Sequence, residues 1–103
     1  MGNPDEKKMK YWETKYELKN LRLAGYGGGY PIISFDKDDS MPLCHMSDRS
    51  LKRVIRMAEN RGGIELGVGW SLKKTAYVAV NEKNIVICGH EYVIDRILEQ
   101  VMK

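Results

Sequence analysis

Between residues 49 and 60 the chain places Arg49, Lys52, Arg53, Arg56 and Asn60 at intervals of three and four. At about 100° per residue on a helix these five fall in one stripe, opposite Leu51, Val54, Ile55 and Ala58. Glu59 sits at the edge of the stripe and Asp48 outside it, so no acid is interleaved among the four cations. Like charges one helical turn apart repel by about 0.2–0.5 kcal/mol per pair. A phosphate backbone or an acidic protein surface would relieve that repulsion, and each cation engaged would release a condensed counterion. The plainer reading is a solvated face that keeps the chain in solution.

A second feature is the run Gly25-Tyr-Gly-Gly-Gly-Tyr30. It does not match the dinucleotide-binding pattern, because Tyr30 occupies the place of a required glycine. It also lies between two strand-like segments, so no helix N-terminus is on hand to receive phosphates. The run reads instead as a hairpin tip carrying Tyr26 and Tyr30, whose rings can stack on bases or anchor a protein contact. A simple glycine turn is the alternative.

All four cysteine and histidine residues fall in two clusters, Cys44-His45 and Cys88-Gly-His90. Two of each can make a tetrahedral zinc site, but adjacent ligands diverge and structural sites usually separate them by two to four residues. A thiol–imidazole pair such as Cys44 with His90 has the groups for nucleophilic catalysis, without an orienting acid or oxyanion donor in view. Asp36, Asp38 and Asp39 resemble calcium ligands in type only. The mid-loop glycine is missing, and Ser47 stands where a bidentate glutamate belongs. No serine–histidine–aspartate order, paired-carboxylate signature or Walker motif occurs. The chain is therefore expected to be no enzyme, with no metal and no cofactor.

The elements that must position these residues follow from periodicity. Trp12, Thr14, Tyr16 and Leu18 alternate with charged residues and read as a half-buried strand. A slip of phase across Asn20, to Leu21 and Leu23, calls for a bulge. Residues 31–35 read as the next strand, with Pro31 tolerated at its start, and residues 36–40 as an acidic turn.

A helix is expected over residues 47–61. Ser47 is its N-cap, Asp48 favours the dipole, and Met46 with Leu51 forms a hydrophobic staple. Asn60-Arg61-Gly62-Gly63 supplies the stop. Strands are then expected at residues 64–70, 75–80 and 85–87, the last two joined by a turn at residues 81–84. Val93, Ile94, Ile97, Leu98 and Val101 mark a C-terminal amphipathic helix. The expected fold is α+β in the order β-β-α-β-β-β-α. Its mostly antiparallel four- or five-stranded sheet would carry two helices on one face. Residues 1–9 are expected to form a flexible arm and residues 10–103 a single domain.

An apolar share of 43% and a charged share of 30% suit one modest core with a solvated surface. The net charge of +3 permits nucleic-acid or acidic-protein partners without demanding either. No apolar run approaches the roughly 18 residues of a membrane span. The first ten residues have no apolar core and do not read as a secretory signal. With only two cysteines, free thiols and the cytoplasm are the expectation.

The functional expectation is a small non-enzymatic nucleic-acid-binding or regulatory protein. Its contacts would be Arg49, Lys52, Arg53, Arg56, Asn60, Tyr26 and Tyr30. The first alternative is a protein-interaction module, an inhibitor or adaptor of the phage or mobile-element kind that docks on an acidic surface. The second is a small cysteine–histidine enzyme or zinc protein. The sequence does not set the oligomeric state, and a homodimer is compatible with it.

Overall fold

A computed structural model describes residues 6–61 and 76–102. They form an α+β fold with a four-stranded antiparallel sheet and three helices. Along the described chain the order is α1 (Glu6–Lys15), β1 (Arg22–Gly27), β2 (Tyr30–Asp36), α2 (Asp48–Arg61), β3 (Tyr77–Val80), β4 (Asn84–Cys88) and α3 (Glu91–Val101). The strand expected at residues 64–70 and the glycine stop at 62–63 lie outside the described residues, as does Thr75.

The first expected strand is a helix instead. Met9, Trp12 and Tyr16 are spaced three and four apart, which places them on one helical face, and Trp12 and Tyr16 are buried while Met9 packs against the core. Thr14, the residue that alternation would have buried, is exposed. Residues 6–9, expected in a loose arm, are the first turn of this helix. The helix ends where the Leu18 N–H donates to the Glu13 carbonyl at 3.0 Å. Glu17 takes the left-handed conformation there, at φ 54°. This is a Schellman-type stop built on a non-glycine residue, with Leu18 buried beyond it.

β1 therefore starts at Arg22 and takes in the front of the glycine run. It pairs with β2, and the bulge falls between Leu23 and Gly25 rather than at Asn20. Gly28 and Gly29 form the two-residue turn at φ +60° and +87°. Positive φ at both central residues is what the mirror-image hairpin turn demands and what β-carbons resist. The hairpin expected from the glycine cluster is thus present, with the glycines partly inside its first strand.

The sheet order is β1-β2-β4-β3. Register sets its two faces: Ile33 pairs with Ile87 and Phe35 with Ile85, and Val78 and Val80 pair with the same two β4 residues. On this face the buried side chains of all three helices close the core around Trp12, Leu51, Ala58, Ile94, Ile97 and Leu98. The other face carries Ile32, Ser34, Val86 and Cys88.

A 3-10 turn at Pro42–His45 plugs the core with Leu43 and leads into α2. The Ser47 cap is present as expected, its Oγ accepting the Ser50 N–H at 3.2 Å. Leu51 and Ala58 are buried, but Val54 and Ile55 are only half-buried, against the expectation of four core positions. α2 is the outermost helix on its side and packs on α3 and β3 alone among its strongest contacts. Among the described residues no helix is long and apolar enough to cross a membrane.

Candidate nucleic-acid interface

α2 presents Arg49, Lys52, Arg53 and Arg56 to solvent. None of the four takes part in an ion pair among the described residues. The reason lies in the helix wheel: with Leu51 and Ala58 turned into the core, the opposite arc has nothing to meet but water. Asn60 lies in the last turn of the same helix. The four cations thus line a regular element that is capped at its start.

The hairpin tyrosines behave differently from each other. Tyr26 is 48% exposed. Tyr30 is half-buried and meets the His90 ring edge-on, with centroids 4.7 Å apart, and His90 in turn lies 5.4 Å from the Tyr92 ring. Burial pushes the His90 pKa below its ordinary value, so the ring is held neutral against its aromatic neighbours. The expectation of two free rings at the tip holds for Tyr26 and fails for Tyr30, because the start of α3 folds back over β2. The tip and the α2 stripe are not brought together. The hairpin is at the β1 side of the sheet, and α2 packs at the β3 side.

The cysteine and histidine clusters are engaged separately. Cys44 Sγ donates to the Asp38 carbonyl at 3.1 Å, and His45 Nε2 lies 2.6 Å from the Asp39 carbonyl. Cys88 is buried on β4, and burial raises its pKa, away from the thiolate that a nucleophile needs. Among the described residues no group of three or more histidine, cysteine, aspartate or glutamate side chains is gathered to hold a metal ion.

The acidic turn has local partners. Asp38 Oδ1 accepts the Ser40 backbone N–H at 2.9 Å and the Ser40 hydroxyl at 2.8 Å, which holds its pKa below the ordinary value. Asp36 receives Asn20 and Arg22, and Asp39 pairs with Lys37 at 3.9 Å.

α1 brings a group of residues that the strand reading scattered. Lys7, Lys10, Tyr11, Thr14 and Lys15 are all exposed and share the arc opposite Met9 and Trp12. Lys15 Nζ donates to the Tyr11 hydroxyl at 2.9 Å. The buried side of α1 is tied to α3: Trp12 Nε1 donates to Asp95 Oδ1 at 2.9 Å, and Lys8 pairs with the same carboxylate at 3.5 Å. The signal was present in the sequence as Met9, Trp12 and Tyr16 at helical spacing.

The chain matches no protein-family model, and neither curated proteins nor solved structures yield a match. The functional reading therefore rests on the residues themselves.

Proposed function

We propose that this is a non-enzymatic nucleic-acid-binding protein, acting in the cytoplasm, whose principal contact is the cationic stripe of α2. One observation carries the reading: Arg49, Lys52, Arg53 and Arg56 share an exposed helix face on which they form no ion pair among the described residues. Four uncompensated cations repel one another when the protein is alone, and a polyanion converts that cost into counterion release. Arginine predominates, and its planar fork suits phosphate oxygens better than a lysine ammonium does. Tyr26, on the hairpin, adds a separate ring for stacking on an unpaired base. Against catalysis stand the buried, raised thiol of Cys88 and the engagement of His90 with tyrosine rings.

The test is a mobility-shift titration of the wild type and of the double variant Arg53→Ala, Arg56→Ala. The variant should bind DNA or RNA more weakly, with the log–log salt slope reduced by about 0.7–0.9 for each phosphate no longer neutralised. Its thermal stability should stay within about 0.5 kcal/mol of the wild type, because exposed cations contribute little to folding. An unchanged slope would remove α2 from the interface. The rival reading, an inhibitor or adaptor on an acidic protein surface, expects the same variant to lose one protein partner while the wild type fails to shift nucleic acid.

A further inference from the structure

The three helices lie side by side on the sheet in the order α1, α3, α2. α1 is joined to α3 through Trp12, Lys8 and Asp95 and faces β1 across a depression that Met9, Lys10 and Leu23 line. α2 packs on the other flank of α3 and on β3. These contacts fix how each outer helix is turned. With Trp12 towards α3 and Met9 towards β1, the arc of α1 that points away from the sheet holds Lys7, Tyr11 and Lys15, with Lys10 beside them. With Leu51 and Ala58 in the core and Val78 of β3 beside Ile55, the corresponding arc of α2 holds Arg49, Arg53 and Arg56. Both outer helices therefore carry a cationic ridge on the same side of the molecule.

The helix between them does not cancel these charges. The Asp95 carboxylate of α3 is taken by Trp12 and Lys8, and Arg96 pairs with Glu99 at 3.9 Å. Helices pack about 8–10 Å apart, so the two ridges are roughly 16–20 Å apart across α3. That separation exceeds the spacing of neighbouring phosphates on one strand. It suits instead two phosphate backbones bordering a duplex groove, about 12 Å wide between its rims in B-form DNA.

We propose that Lys7, Lys10 and Lys15 of α1 form a second phosphate-contacting ridge, and that α1 and α2 together straddle a nucleic-acid duplex, one backbone on each helix. This rests on the nucleic-acid reading above and extends it to a substrate form. Charge complementarity carries it: each ridge has three or more exposed cations and no acid within its outward arc.

The experiment compares wild type, the triple variant Lys7→Gln, Lys10→Gln, Lys15→Gln and the double variant Arg53→Ala, Arg56→Ala. Each is titrated with a 20-base-pair DNA duplex and with one of its strands over about 50–150 mM salt, the range over which phosphate contacts change affinity most. Glutamine keeps the helix propensity, and circular dichroism reports that α1 is intact. The triple variant should bind the duplex about tenfold or more weakly, with a salt slope smaller by about 0.9 for each lysine that no longer meets a phosphate. The single strand, which engages one ridge, should bind the triple variant less than about threefold more weakly. If the triple variant binds the duplex like the wild type while the double variant is impaired, the α1 ridge is excluded and the α2 interface stands. Equal weakening on duplex and single strand overturns the straddling geometry. A wild type that binds neither form overturns this inference together with the reading on which it rests.

Discussion

Trp12 fastens the N-terminal helix to the body of the protein, with its ring in the core and its indole N–H on Asp95. Burial of this kind separates residues whose types look equivalent, and α2 gives a direct comparison. Leu51 is 8% exposed, whereas Ile55 is half-buried. Leu51→Ala should therefore cost about 2–5 kcal/mol, and Ile55→Ala clearly less. Denaturant melts that reverse this order would refute the described core face.

His90 supplies a pH prediction. Burial lowers its folded-state pKa below the 6.5 of an ordinary histidine. As pH falls, the unfolded chain takes up the proton first, so stability rises with pH across that interval. It is complete above about pH 6.5 and is lost as the pH drops towards the folded value. His90→Gln should flatten the stability profile between about pH 7 and 5; an unchanged slope would mean that His90 is as solvated folded as unfolded. At this scale the α2 cations were legible in the sequence, because their spacing alone decides which arc they occupy. The engagement of Tyr30 by His90 was not, since it joins residues far apart in the chain.

The elements differ in how openly their sequences state them. α2 was readable because a cap, a staple and an apolar stripe agree over residues 46–58. α1 was not, because Trp12 and Tyr16 are four apart and satisfy both a period of two and a period of 3.6. Over so short a segment only Met9 and exposed Thr14 break the tie. The stop signal was hidden as well, since Glu17 rather than glycine takes the left-handed position at φ 54°. That conformation costs a residue with a β-carbon about 1 kcal/mol or more. Glu17→Gly should raise stability by up to about 1 kcal/mol, strain relief outweighing the added freedom of the unfolded chain. A loss of stability in thermal or urea melts would show that the Glu17 side chain contributes more than its backbone costs. The hairpin was legible in kind but not in extent: the glycines mark its turn, and only pairing with β2 reveals that Gly25 and Gly27 belong to a strand.

For the molecule as a whole, the sheet puts its Ile33, Phe35, Ile85 and Ile87 face under the helices, so the helical layer's outer side displays charge. The two longest-range features of the chain follow from this arrangement. The N-terminal helix closes over β1 and α3, and the tyrosine hairpin ends up at the opposite side of the sheet from the α2 stripe. The sequence could assign both sets of contact residues but not their distance, because strand order is a property of the folded sheet. α+β architecture, an antiparallel sheet and a cationic helix were readable; the third helix and the placement of its lysines needed the fold.

Whether the α2 cations meet phosphates decides the function proposed for the molecule. The most direct measurement is a mobility-shift titration of the wild-type protein with mixed-sequence DNA and RNA at about 50 and 150 mM salt, where the screening length shortens towards about 8 Å. The expected result is a shift at the lower salt that weakens steeply at the higher, by the slope that several phosphate contacts produce. No shift with either nucleic acid at the lower salt would contradict it.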